Sequence, residues 1–201
     1  AEECAAIMAR GFGRNTSVVS IRVEWRRDAA LFDALAAALP SNSTLRELSL
    51  RRLFCVPNFN NVARLPPVFT ALGKNRGLKN LKVDVHGSTE ESMCTAMTDG
   101  LGMNVTLESL ELNYYAPILD GNCALWNRSF SFLRTNKALK SLMVNVDCGS
   151  STESRFSIFR ISAAAMLQDN ASLESLYIRG SHQTKAGEYV ALINVLQHNR
   201  T

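Results

Sequence analysis

The chain has 201 residues, of which 46% are hydrophobic, and a formal net charge of +4. This composition belongs to a folded chain and excludes a disordered one. No block of like charges is present, which excludes a polybasic tail for nucleic acid or membrane, and no apolar run approaches the ~20 residues of a membrane span.

The N-terminal stretch AEECAAIMARGF begins with acids where a secretory signal carries positive charge. With no initiator Met, and with an end at QHNRT where another repeat is due, a piece of a longer protein is expected. From Asn15 a pattern sets in, N-x-x-L-x-x-L-x-L, filled first by Val18, Ile21 and Val23. Phe32, Leu35, Ala36 and Leu39 then follow helical spacing. Asn42 restarts the pattern as NSTLRELSL, and Pro66 with Pro67 suits the first turn of a helix running to Leu72. Asn75 leads Leu78, Leu81 and Val83; Met93, Met97 and Leu101 lie four apart, as on one face of a helix; Asn104 opens NVTLESLEL. Trp126, Phe130 and Leu133 predict a further helix before Asn136 with Leu139, Leu142 and Val144. Asn170 opens NASLESLYI, and Tyr189, Leu192 and Leu196 predict a last helix ahead of Asn199.

The seven Asn residues are separated by 27, 33, 29, 32, 34 and 29 residues. The second half of each motif has the period-two alternation of a short strand with one buried face. Each Asn therefore stands where a helix stops and a strand begins. A left-handed helix cap is expected there, because Asn adopts that conformation more readily than most residues. The small residue before the first aliphatic (Ser17, Thr44, Gly77, Thr106, Ala138, Ser172) fits a tight passage into the strand.

A helix–strand unit of about 31 residues is compatible with a barrel, a doubly wound sheet or a stack. A barrel needs eight units and ~250 residues, and a doubly wound fold does not repeat a signature at every strand. A stack does, because each unit's apolar face is buried only by its neighbours. The fold class expected is α/β, one repeat domain over residues 1–201 with about six to seven units.

These residues resemble a leucine-rich repeat protein. Unit length and the N-x-(S/T/A)-L link resemble the ribonuclease-inhibitor subtype, also found in NOD-like receptors and Ran GTPase activators. The resemblance implies a curved solenoid with parallel strands on the concave face and helices on the convex face. It departs from that subtype three residues beyond the last strand aliphatic, where Asn or Cys is usual and this chain holds Arg26, Leu53, His86, Tyr115, Asp147 and Ser181.

No catalytic or cofactor motif is present. GFGRNT at 11–16 lacks the third Gly of a dinucleotide loop and leads into a strand rather than out of one. There is no P-loop, no H-E-x-x-H and no G-x-S-x-G. His86, His182 and His198 are scattered and read as surface residues, and Glu90–Glu91 as an acidic first helical turn. The five cysteines contain no C-x-x-C, so neither a zinc site nor a redox dithiol is indicated, and free thiols are expected. Sequons begin at Asn15, Asn42, Asn104, Asn127, Asn170 and Asn199, but all except Asn127 are the repeat Asn, which explains them without sugar. No metal or cofactor is expected. The expected compartment is the cytoplasm, and a secreted glycoprotein is the alternative that the sequons raise.

What remains is surface. The residues between the strand aliphatics face away from the core, toward the concave face of the implied solenoid. They include Arg22, Glu24, Glu47, Arg51, Lys82, Asp84, Glu111, Asn113, Met143, Asn145, Tyr177 and Arg179. Four bases there are matched by four acids, so a nucleic acid is not the expected partner. Mixed charge with a Met and a Tyr fits a protein partner. Met143, Tyr177 and Arg179 form the candidate hot spot. The expected function is a non-catalytic protein-interaction module. The alternative is a regulatory domain acting on an enzyme partner, as a GTPase activator or as the substrate-recruiting arm of a ubiquitin ligase.

Overall fold

The computed structural model describes residues 2–25, 29–52, 65–86, 91–115, 128–147 and 170–180. Six strands follow the six complete Asn motifs: β1 Ser20–Trp25, β2 Glu47–Arg52, β3 Asn80–His86, β4 Ser109–Tyr115, β5 Ser141–Asp147 and β6 Ser175–Gly180. They form one sheet in the order β1-β2-β3-β4-β5-β6, and every neighbouring pair is parallel. Parallel neighbours require a crossover. Helices α2 Ala29–Ala38, α3 Pro66–Lys74 and α4 Glu91–Met103 supply it between successive strands, and α1 Glu2–Arg14 precedes β1.

The repeat dictates the register. Ile21, Leu48, Leu81, Leu110, Leu142 and Leu176 lie level across the sheet, and so do Val23, Leu50, Val83, Leu112, Val144 and Ile178. A slip of one residue would send every aliphatic to the opposite face. These two rows share one core with Phe32 and Leu35 of α2, Phe69 and Leu72 of α3, and Met93, Met97 and Leu101 of α4. Burying each large side chain contributes about 1.5–3 kcal/mol. Pro66 and Pro67 occupy the first two positions of α3, where no intrahelical N–H bond is required. Gly100 lets α4 approach α3: a Cβ there would lie 1.9 Å from the carbonyl oxygen of Phe69.

Asn75 does not cap in the left-handed conformation expected of the repeat Asn: it has φ −68° and ψ 140°, an extended backbone. Its role is carried by the side chain. Asn75 Oδ1 accepts from the backbone N–H of Gly77 (3.0 Å) and Leu78 (2.7 Å), and Nδ2 donates to the carbonyls of Leu39 (2.6 Å) and Asn42 (2.8 Å) in the unit before. Asn104 and Asn136 repeat this, reaching back to Leu72 and Leu101 at 2.6 Å, and Asn170 reaches Leu133 at 2.6 Å. Buried backbone groups must be paired, and one amide here satisfies the turn of its own unit and the helix end of the previous one. Three of the repeat Asn residues that begin sequons, Asn42, Asn104 and Asn170, are buried.

Two further details emerge. The helix expected through Trp126, Phe130 and Leu133 is seen in part: Arg128 and Ser129 are α-helical, and after Phe130 the winding tightens into a 3₁₀ turn at Ser131–Arg134. Phe130, Phe132 and Leu133 are all buried, and the three-residue winding of a 3₁₀ turn brings positions i and i+3 onto one side. Val18, the first aliphatic of the first motif, is 44% exposed while its counterparts Leu45 and Leu78 are buried, because among the described residues no unit packs ahead of it. The predicted helix at 189–196 lies outside the described residues, as do Trp126, Asn127, Asn199, His182 and His198.

Candidate functional site

The side chains between the aliphatic rows stand on the face of the sheet opposite the helices, in three rows that run across the strands. The first row is Ser20, Glu47, Asn80, Ser109, Ser141 and Ser175; the second is Arg22, Ser49, Lys82, Glu111, Met143 and Tyr177. The third holds Glu24 level with Arg51, and Asp84, Asn113, Asn145 and Arg179 level with one another. Of Glu24 only the backbone is described.

In the second row Lys82 Nζ pairs with Glu111 Oε1. Both residues line a trough of about 400 Å³ that runs from β1 to β4 over Arg22, Glu47 and Ser49. Glu47 accepts a hydrogen bond from Ser20 Oγ at 3.1 Å. Toward β6 the row turns apolar: half-buried Met143 lies level with Tyr177, which is 48% exposed.

The third row contains the clearest departure from expectation. Asp84 and Asn113, expected to face solvent, are each only 6% exposed. They belong to a side-chain ladder in which Asn145 Nδ2 donates to Asn113 Oδ1 (2.6 Å) and Asn113 Nδ2 donates to Asp84 Oδ1 (2.8 Å). A carboxylate can only accept, so Asp84 fixes the sense of the whole ladder. Burial of Asn113 is tolerated because both ends of its amide are bonded, Nδ2 to Asp84 and Oδ1 to Asn145. The repeat carried no signal for this, since these positions are defined in the motif only as not aliphatic.

A second feature lies one residue ahead of the strands, where Arg46, Lys79, Glu108, Lys140 and Glu174 hold equivalent places. Lys79 Nζ donates to Glu108 Oε1 at 2.6 Å. That hydrogen bond, then the charge of Lys79, holds the Glu108 carboxyl below its ordinary range. Both groups are exposed enough for solvent to screen the pair.

On the opposite side of the sheet, Cys94 of α4 is a buried free thiol that accepts a hydrogen bond from Ser129 Oγ at 2.9 Å. Burial pushes its pKa up, and the Ser129 bond offsets part of that rise. A thiol held protonated is a poor nucleophile. No group of three or more metal-ligating side chains occurs among the described residues, and none of their helices is long and apolar enough to cross a membrane.

No family model and no curated relative matches the chain. Among solved structures it is similar to actin-binding site 2 of leiomodin-1, at 14% identity and a TM-score of 0.46, over 98% of this chain and 87% of that one. It is also similar to the C-terminal domain of tropomodulin from Caenorhabditis elegans, at 10% identity and a TM-score of 0.48, over 97% and 92% of the two chains.

Proposed function

We propose that this chain is a leucine-rich-repeat solenoid of the ribonuclease-inhibitor type that acts as a non-catalytic protein-interaction module in the cytoplasm, with its partner seated on the face of the sheet opposite the helices. The observation that carries this reading is the pairing of exposed Tyr177 with half-buried Met143 on neighbouring strands, beside exposed Arg179. Strands lie ~4.8 Å apart, so the two side chains make one apolar patch on a face that is otherwise charged or small. Tyr and Arg are enriched at interface hot spots, and Met adapts to irregular partners. The ladder in the neighbouring row supports the patch: Asn145, level with Arg179, is held in place by Asn113.

The test is photocrosslinking from a site next to Tyr177 in cell extract, with the parent chain and Tyr177→Ala side by side. A specific protein adduct is expected with the parent. Tyr177→Ala is expected to weaken capture of that partner by about 2 kcal/mol while leaving the thermal midpoint in place. A lowered midpoint with unchanged capture would mean that Tyr177 only shields the sheet, and the reading fails.

A further inference from the structure

By formal count the open face is balanced, but its hydrogen-bonding capacity is not. Each acid on it with a described side chain is engaged within the sheet. Glu47 takes the Ser20 hydroxyl, Glu111 takes Lys82 and the Asn113 amide, and Asp84 takes Asn113. Lys82 is spent on Glu111. Among the described residues, neither Arg51 nor Arg179 has an ion-pair or hydrogen-bond partner. A guanidinium carries five donors in a fixed fork that matches a carboxylate. Among its described side chains the face therefore offers two cationic forks with no partner of their own, while its acids already hold donors within the sheet.

Their placement sets the geometry. Arg51 follows Leu50, which lies level with Val83, and Asp84, the next residue, lies level with Asn113, Asn145 and Arg179. Arg51 and Arg179 thus stand in one row, four strands apart, a separation of about 19 Å at ~4.8 Å per strand. An extended peptide advances about 3.3 Å per residue and covers that distance in about six residues. Between the forks it crosses the Asn113–Asn145 amides, and its end over β6 meets Tyr177 and Met143.

We infer that the partner of this module presents an extended acidic segment laid across the strands. Two carboxylates about six residues apart engage Arg51 and Arg179, and an apolar side chain near the second rests on Tyr177 and Met143. This inference rests on the interaction-module reading above. A nucleic acid is the other polyanion to weigh, and the row disfavours it. A phosphate backbone carries charge at every nucleotide and would lie over Asp84 and Glu111, whereas a peptide places its carboxylates only at the two forks.

The experiment pans displayed random peptides of about twelve residues, longer than the span between the forks when extended, on the full chain, with Tyr177→Ala as the counter-selected bait. Expected are sequences with Asp or Glu at a spacing of about six and a Leu, Phe or Ile beside one of them, by the geometry given. A synthetic consensus peptide should bind with an affinity that falls as salt rises, and should lose roughly tenfold in Arg179→Ala and in Arg51→Ala. Moving its two acids next to each other should weaken it similarly. Enriched peptides that depend on Tyr177 but are neutral or basic overturn the acidic partner and leave the module reading standing. No Tyr177-dependent enrichment overturns both. Single-stranded oligothymidylate that binds more tightly than the peptide, and loses binding in the same two arginine variants, overturns the inference in favour of nucleic acid.

Discussion

At the scale of the residue, the repeat Asn is a two-sided connector. Asn104 is 1% exposed; it accepts from Thr106 and Leu107 N–H at 2.9 and 2.7 Å and donates to the Leu72 carbonyl at 2.6 Å. Asn104→Leu leaves those backbone groups buried and unpaired, at about 1–3 kcal/mol each, so a loss of roughly 3 kcal/mol or more is expected from the denaturation midpoint. The Asn15 side chain makes only local bonds, to Ser17 and Val18, in a half-exposed setting. Asn15→Ala should cost under about 1 kcal/mol. Equal costs at the two sites would remove the inter-unit role. Tyr114 gives a pH-dependent counterpart. It is 3% exposed, its hydroxyl donates to Met97 Sδ at 3.7 Å, and burial pushes its phenol well above the ordinary range. With the folded pKa raised, its contribution to stability is fully present below the unfolded value of about 10 and is lost as pH rises beyond it. Absorbance of tyrosinate on alkaline titration should show the Tyr114 component appearing only together with unfolding. A Tyr114→Phe variant that leaves the unfolding step unchanged would assign that step elsewhere.

At the scale of the element, helix packing sets a sign that propensity alone gets wrong. Gly→Ala inside a helix ordinarily stabilises by about 0.5–1 kcal/mol. Gly11 of α1 has nothing within 4 Å of an added Cβ, so Gly11→Ala should raise the melting temperature. In α4, the Cβ of Gly100→Ala would meet the Phe69 carbonyl oxygen at 1.9 Å. The α3–α4 pair would have to separate, and overpacking of this kind costs about 1–3 kcal/mol. Gly100→Ala is therefore expected to lower the melting temperature in the same assay that shows Gly11→Ala raising it. A gain at both positions would mean that the two helices have room to part freely. The strands were predictable because period two over five positions has one solution. The turn at Ser131–Arg134 was not, because apolar residues at 130, 132 and 133 satisfy more than one winding and the packing surface decides between them.

At the scale of the molecule, the backbone connections run between sequence neighbours. Each strand after the first is started by bonds to the carbonyl one residue ahead of the preceding strand, as Lys79 and Asn80 N–H donate to Arg46 C=O at 2.8 and 2.9 Å. A stack joined this way loses structure locally. In Asn136→Ala, hydrogen exchange should accelerate in β5 and the turns at 104–107 and 136–139, while β1 and β2 keep parent rates. Uniform acceleration over all six strands would show one global unit instead. The same chain of neighbours explains Val18: its exposure follows from its place at the first described strand.

By itself the sequence determined the repeat, the strand positions, the register and the inward aliphatic rows, because each is a local pattern recurring with one period. It also determined which side chains share the open face, since alternation leaves them no other side. Only the tertiary structure decided what those side chains do to one another. The ladder of Asp84, Asn113 and Asn145, the Lys82–Glu111 pair and, among the described residues, the lack of a partner for Arg51 and Arg179 all depend on which side chains about thirty positions apart reach one another. The role of the repeat Asn was decided there as well. A cap is a local feature that residue type alone suggests, whereas the amide bonds that fix Asn75 and Asn104 are made to a unit that exists only once the chain has stacked.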